Sequence, residues 1–317
     1  MLTASDTTTI VEFPELGWGP WELKRFLVED LFDKITIAWY GVIICSAMLL
    51  ACFLVLKNAK KYEGMKTDSF IDYFLAAIPC SIVGARAMYV LTSLDRFTRF
   101  EDVFKIWEGG LAFYGGAIGG FLAFAVACRI KKQPFFQVMD AVVPGMLLAQ
   151  AIGRWGNFVN GEAHGHIMKT PMPWGMMING EGPFHPTFLY ESLLTLTGFL
   201  ILQFVIYPKK KFNGTNVCFY AVWYGVGRTF IEGMRDDSLL FGSLRASQVI
   251  GVTSAVAGAI LFFLFYARWK KEQAEGASEE QADEEETEKT EEAEETATEE
   301  TADTEEKKPP VETGEKE

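Results

Sequence analysis

The chain has 317 residues, 49% of them hydrophobic, a formal net charge of −13 and a mean hydropathy of +0.11. Both averages mislead, because after Lys271 the chain holds 21 Asp and Glu against 4 Lys, so the acidity belongs to the tail and residues 1–271 are net positive. Five cysteines (Cys45, Cys52, Cys80, Cys128, Cys218) lie in apolar segments without paired-ligand spacing, so neither a zinc site nor a disulfide scaffold is suggested, and no phosphate-cradling, dinucleotide-binding or paired-histidine motif appears in the sequence.

The first 35 residues lack the basic start and continuous apolar run of a secretory signal. They read as an extracytoplasmic arm whose Trp and Phe side chains suit the membrane interface. Runs apolar enough to cross about 30 Å of hydrocarbon follow near 36–57, 70–92, 109–130, 135–155, 186–207, 215–233 and 246–268, the fourth and sixth interrupted by polar residues. The predicted fold class is all-α, a polytopic membrane protein with about seven transmembrane helices over 36–271. Basic residues mark cytoplasmic loops, and they cluster after every odd-numbered span: Lys57, Lys60, Lys61 and Lys66; Arg129, Lys131 and Lys132; Lys209 to Lys211; Arg268, Lys270 and Lys271. The other loops differ. Arg96, Arg99 and Lys105 are diluted by Asp95, Glu101, Asp102 and Glu108, and 156–185 carries only Lys169. The N-terminus is therefore expected outside and the C-terminus in the cytoplasm. Residues 272–317 have too few apolar side chains to offset the entropy of ordering and are expected to be a disordered tail, either simply solvated or a partner-binding arm.

Within the spans, charged residues demand partners, since a charge near the bilayer centre costs about 2.5–3.5 kcal/mol on insertion scales. Arg86 lies in "GARAMYV" of the second span. "GGLAFYGGAIGG" (109–120) opens the third with Gly115/Gly119 and Gly116/Gly120 at small-xxx-small spacing, which fits close helix packing first and, as the alternative, room for a lipid headgroup beside Tyr114. "GRWGNFVNGE" (153–162) ends the fourth with Arg154, Asn157, Asn160 and Glu162, reading either as a loop just beyond the span or as a polar site sunk into the bilayer edge. "HPTFLYES" (185–192) starts the fifth with His185 at the interface and Glu191 deeper, where Arg86 is a candidate partner. In "YGVGRTFIEGMR" a pitch of 100° per residue gathers Tyr224, Arg228, Glu232 and Arg235 within about 80° on one helix face. Glu232 and Asp140 could neutralise these arginines as packing pairs. With Arg154 and Asn157 at the same depth, a phosphate pocket is the better reading, because a guanidinium matches phosphate geometry.

These stretches together resemble the phosphatidylglycerol:prolipoprotein diacylglyceryl transferase family of bacterial inner membranes. The likeness covers roughly residues 35–270 and includes "WYG" at 39–41, "GAR" at 84–86, "GGLAFYGG" at 109–116, "DAVVPGMLLAQAIGRWGNFVNGEAHG" at 140–165, "HPTFLYE" at 185–191 and "YGVGRTFIEGMR" at 224–235. The resemblance implies a seven-span enzyme that moves the diacylglyceryl group of phosphatidylglycerol onto the lipobox cysteine of a prolipoprotein signal peptide, releasing glycerol 1-phosphate without a cofactor. Its partners would be that lipid, that peptide and the bilayer, with no nucleic acid. By the same resemblance Arg154 and Arg228 hold the phospholipid, and Asn157, Gly165, Tyr224, Tyr40 and Glu162 belong to the functional set. Many family members carry histidine where this chain has Tyr114, a position proposed for the catalytic base, although tyrosine also occurs there in the Gram-positive branch.

The chemistry needs a deprotonated thiol, a carbon to attack and a stabilised leaving phosphate. Arg154 and Arg228 suit the last. A free thiol near pKa 8.5 is already a few per cent thiolate at neutral pH, so Tyr114, Tyr224 or, less directly, His185 need be only a weak proton acceptor. Glu162, Asp140 and Glu232 are expected to orient arginines, and Asn157 and Asn160 to donate to phosphate or glycerol oxygens. A transporter would carry polar residues through the whole depth and often shows related halves; here polarity gathers at the outer half. A metal-dependent headgroup transferase would want clustered aspartates, and the one adjacent pair, Asp236 and Asp237, stands alone.

Overall fold

The computed structural model describes residues 8–31, 35–97, 99–106, 109–235, 240–241 and 244–305. Glu108 and the pair Asp236 and Asp237 lie outside the described residues, as does the tail from 306 on. Seven α-helices stand at the seven predicted spans: α1 Trp39–Tyr62, α2 Thr67–Thr92, α3 Phe113–Ile130, α4 Phe135–Asn160, α5 Thr187–Ile201, α6 Thr215–Glu232 and α7 Ala246–Glu305. A π turn, Leu202–Ile206, and a 3-10 turn, Tyr207–Lys209, prolong α5. Among the described residues six helices are long and apolar enough to cross a membrane, and α6 is not one of them. The Tyr224, Arg228 and Glu232 stripe that makes its face polar also lowers its mean hydropathy.

The glycines of the third span settle one open reading. A Cβ on Gly84 of α2 would lie 2.4 Å from the Gly115 carbonyl oxygen, and one on Gly119 would lie 2.4 Å from that of Cys80. Gly116 and Gly120 face Ala85 and Ser81. Both glycine pairs therefore serve the contact of α3 with α2, where absent side chains let the backbones approach.

At the lysine-rich end of the helices, Asp140 corrects an expectation. Its carboxylate accepts hydrogen bonds from the backbone N–H groups of Gly214 (2.7 Å), Asn216 (3.0 Å) and Val217 (3.2 Å) and from Lys210 Nζ (3.1 Å). It satisfies the orphan donors at the start of α6, where the helix dipole favours an anion, and does not orient an arginine. Fourteen residues separate it from Arg154, about 21 Å along α4. Lys210 also bonds Glu63 at 2.6 Å, so α1, α4 and α6 are tied together there.

The opposite end carries the strands. β1 Thr8–Phe13 and β2 Trp18–Lys24 form an antiparallel hairpin, and β1 also pairs with β5 Met176–Ile178, which pairs with β6 Glu181–Phe184. The sheet order is β2-β1-β5-β6. The N-terminal arm, expected to suit the membrane interface, is thus built into a sheet with the 156–185 loop. Val11, Phe13, Met176, Ile178, Phe184 and Phe188 form its core. β3 Phe26–Leu31 and β4 Ile35–Ala38 pair and lead into α1, and β7 Leu240–Phe241 and β8 Leu244–Arg245 pair before α7.

Residues Leu264–Glu317 form a unit separate from Met1–Phe263. α7 runs on into the acidic segment as far as Glu305. Its Ala, Glu and Lys are strong helix formers, and Arg268–Glu272 (2.9 Å) and Lys271–Glu275 (3.4 Å) add i,i+4 pairs. Removing the Asp140 carboxylate should be costly: Asp140→Ala is expected to destabilise the protein by about 3 kcal/mol through unpaired buried donors and Lys210. Unfolding in detergent micelles measures this, and an unchanged midpoint would contradict the capping role.

Candidate active site

The site is built where α4, α5 and α6 reach the strand-bearing end. Pro186 precedes Thr187 and sets the start of α5, so Glu191 points inward one turn later with its side chain only 3% exposed. A lone carboxylate at that depth would be costly. Here it is surrounded: Arg154 Nη2 of α4 lies 2.5 Å from Glu191 Oε2, while Arg228 Nη1 of α6 (2.6 Å) and Arg235 Nη1 (3.2 Å) share Oε1. One helical turn beyond Arg228, Glu232 Oε2 meets Arg228 Nη2 at 2.5 Å. The predicted polar face of α6 is therefore real, and both of its carboxylate contacts lie in the buried interior.

Arg228 spends its two terminal nitrogens on Glu191 and Glu232. Arg154 is the most open of the three arginines, with 26% of its side chain exposed, and among the described residues its second terminal nitrogen reaches only Asn157 Oδ1, at 3.5 Å. Beside it, Gly161 turns the chain out of α4 in the left-handed conformation (φ 64°), which glycine adopts at no steric cost. The turn brings Glu162 Oε1 to Asn157 Nδ2 (3.3 Å) and Asn160 Nδ2 (3.1 Å). Asn160 Oδ1 is buried and has no hydrogen-bond partner among the described residues. An acceptor in that state suits a hydroxyl.

Gly165 acts through its neighbours. It bridges to Arg235, its N–H donates to the His185 carbonyl (2.9 Å), and a Cβ there would lie 2.6 Å from the Met234 carbonyl oxygen. Any side chain would displace the backbone that carries Arg235. Tyr40 packs its ring on Gly156, where a Cβ would come within 2.7 Å. Tyr224 stacks on Tyr220 (5.4 Å, 4°), whose hydroxyl accepts from Gln150 Nε2 at 2.8 Å.

Three predicted residues stand apart from this cluster. Arg86 does not meet Glu191. It donates to the carbonyls of Asp102 (2.6 Å), Gly109 (2.7 Å), Val103 (2.8 Å) and Gly110 (3.0 Å) and lies over the rings of Tyr89 and Phe97. It clamps the loop before α3, a role that five donors in a fork can fill. Tyr114, 38% exposed, has its hydroxyl 3.4 Å from Ser247 Oγ of α7 and, among the described residues, no hydrogen bond to the arginines. His185 Nδ1 lies 3.4 Å from the Tyr190 hydroxyl, and burial, then the nearby His166, push its pKa below the ordinary histidine value.

Sequence reasoning missed Arg245. Its guanidinium donates to the carbonyl oxygens of Glu232 and, at 3.0 Å, Arg235, closing the end of α6. The available signal was a basic residue at the mostly non-basic end of the last span. Glu191 holds the arrangement together, so Glu191→Ala is expected to destabilise by about 3–5 kcal/mol, because it strands buried guanidinium charge. Calorimetric or denaturant unfolding of the detergent-solubilised variant checks this, and unchanged stability would refute the shared-carboxylate arrangement.

The family model described as Prolipoprotein diacylglyceryl transferase matches residues 28–264. A Clostridium perfringens protein called phosphatidylglycerol-prolipoprotein diacylglyceryl transferase 1 is 41% identical over 246 residues, covering 75% of this chain and 93% of the relative. Proteins bearing the same enzyme name from Finegoldia magna (42% over 228 residues, 72% of this chain and 90% of the relative) and Listeria monocytogenes (43% over 229 residues, 69% and 82%) are similarly related. The chain therefore belongs to the prolipoprotein diacylglyceryl transferase family.

Proposed function

We propose that this multi-pass membrane protein transfers the diacylglyceryl group of phosphatidylglycerol to the lipobox cysteine of prolipoproteins. The observation that carries this reading is the meeting of Arg154, Arg228 and Arg235 at Glu191 beside the Asn157–Glu162 turn. The cysteine sulfur attacks the glycerol carbon bonded to the phosphoester oxygen. A C–S thioether bond forms, the C–O bond breaks with its electron pair moving to oxygen, and glycerol 1-phosphate leaves.

Arg154, the open guanidinium, binds the phosphate whose charge grows as that bond breaks, and Arg228 and Arg235 add preorganised positive potential behind it. Asn157 donates to phosphate or glycerol oxygens, and Asn160 Oδ1 accepts from a glycerol hydroxyl. The thiol proton leaves as the thiolate forms in this electropositive site, where its pKa falls. The leaving phosphate monoester, with a second pKa of about 6, carries that proton away, and the Tyr224 hydroxyl, one helical turn from Arg228 on α6, can relay it. The basic clusters at the opposite helix ends orient the protein in the bacterial cytoplasmic membrane with α6 as a seventh crossing and the site toward the outer face. The segment after Lys271 is a cytoplasmic appendage outside the catalytic domain.

The test is a membrane assay with phosphatidylglycerol labelled in its glycerophosphate and a lipobox peptide. Label is expected to be released only when the peptide carries its cysteine, and Arg154→Ala should lower release at least about a hundredfold. Release independent of the thiol, or undiminished in Arg154→Ala, would overturn the reading. Tyr114→Phe and truncation after Lys271 are each expected to retain turnover within about threefold, since neither alters the arginine cluster; a larger fall would assign the missing group a role in transfer.

A further inference from the structure

The β1–β2 hairpin precedes residue 28, where the family match begins, yet it is built directly onto the site. Thr9 lies against the left-handed turn at Gly161, between Asn160 and Glu162; a Cβ on Gly161 would meet Thr9 Cγ2 at 2.5 Å. Ile10 and Asn179 exchange two bonds of 2.8 Å, the Ile10 N–H donating to Asn179 Oδ1 and the Asn179 N–H to the Ile10 carbonyl. Trp21 stands edge-on to Phe13 (6.2 Å) and to Phe158 (6.4 Å). From Phe158 the contacts continue to Phe188 of α5 (4.8 Å) and Trp155 (5.8 Å), whose indole N–H donates to Ser192 Oγ at 3.2 Å. Phe158 follows Asn157 in the chain, and Ser192 follows Glu191. The aromatic series thus spans the gap between the helix that carries Arg154 and the helix that carries its buried counter-ion.

We propose that the N-terminal hairpin is a positioning element of the transfer site, with Trp21 acting through Phe158 to hold the Asn157–Glu162 turn in register with Glu191. The proposal rests on the transfer reading above for its kinetic consequence, but its structural consequence stands without it. Edge-to-face aromatic contacts favour one geometry beyond simple burial. The donors affected are those assigned to the lipid, and groups that bind a ligand must be held within about 0.5 Å of their productive geometry, so loosening the turn weakens lipid binding. The peptide cysteine has no assigned contact with the hairpin.

The experiment compares Trp21→Ala and Trp21→Phe in the full chain. Trp21→Ala is expected to raise KM for phosphatidylglycerol at least about fivefold and leave KM for the lipobox peptide within about twofold, with Trp21→Phe restoring the parent value. Amide hydrogens across 157–165 should exchange about tenfold faster in Trp21→Ala than in the parent or Trp21→Phe. A loss that fell on kcat alone, with both KM values and amide exchange unchanged, would reduce the hairpin to a stabilising appendage and overturn the proposal. If Trp21→Ala does not fold, Asn179→Gly keeps the left-handed turn (φ 51°) while removing the Ile10 acceptor, and the same shifts in lipid KM and exchange are expected of it. A parent protein without transfer activity would defeat the proposed reaction, and amide exchange would still decide the coupling.

Discussion

A buried carboxylate shared by three arginines is the constraint on which the site depends. A carboxylate as deep as Glu191 needs cations beside it to offset the cost of burial, and the three guanidinium groups cannot crowd together without an anion between them. Each requirement answers the other. Because Arg154 comes from α4, Glu191 from α5 and Arg228 from α6, satisfying both also fixes three helices relative to one another. Replacing one partner therefore differs from losing a surface ion pair, because it leaves charge where water cannot compensate.

That arrangement has a direct catalytic use. Arginines held by a fixed carboxylate need little reorganisation when a phosphate arrives, and preorganisation of this kind lowers barriers where charge develops. The supporting parts lie around the cluster. Gly165 permits the close backbone approach that places Arg235, Arg245 closes the end of α6, and the aromatic series from Trp21 to Phe188 spans α4 and α5. At the far end, Asp140 and Lys210 secure the start of α6, so the helix that carries Arg228 is held at both ends.

Arg154, Arg228 and Glu232 were legible in the sequence because charge inside an apolar run has few innocent explanations, and the i,i+4 spacing of Arg228 and Glu232 fixes their pairing. Glu191 was legible as a residue in need of a partner. Its partners were not, since hydropathy gives depth but not which helix faces meet; Arg86 lay in an apolar span and turned out to clamp carbonyls. Asp140 misled by its place in the same 140–165 stretch as Arg154, although a helix of 26 residues puts the two near opposite ends. The hairpin was illegible for another reason: its strands carry a register shift between Val11 and Phe13 and glycines near the turn, and it gains its core from the distant 156–185 loop and from Phe188 of α5. Tertiary pairing of that kind overrides weak local strand propensity.

The measurement that bears most directly on the central claim is equilibrium binding of short-chain phosphatidylglycerol, against the matching neutral diacylglycerol, to the purified protein and to Arg154→Gln. The account predicts that the parent prefers the anionic lipid by at least about tenfold and that Arg154→Gln, in folded protein, loses most of that preference. Equal preference in parent and variant would mean that the arginines gathered at Glu191 bind each other's counter-ion and nothing more.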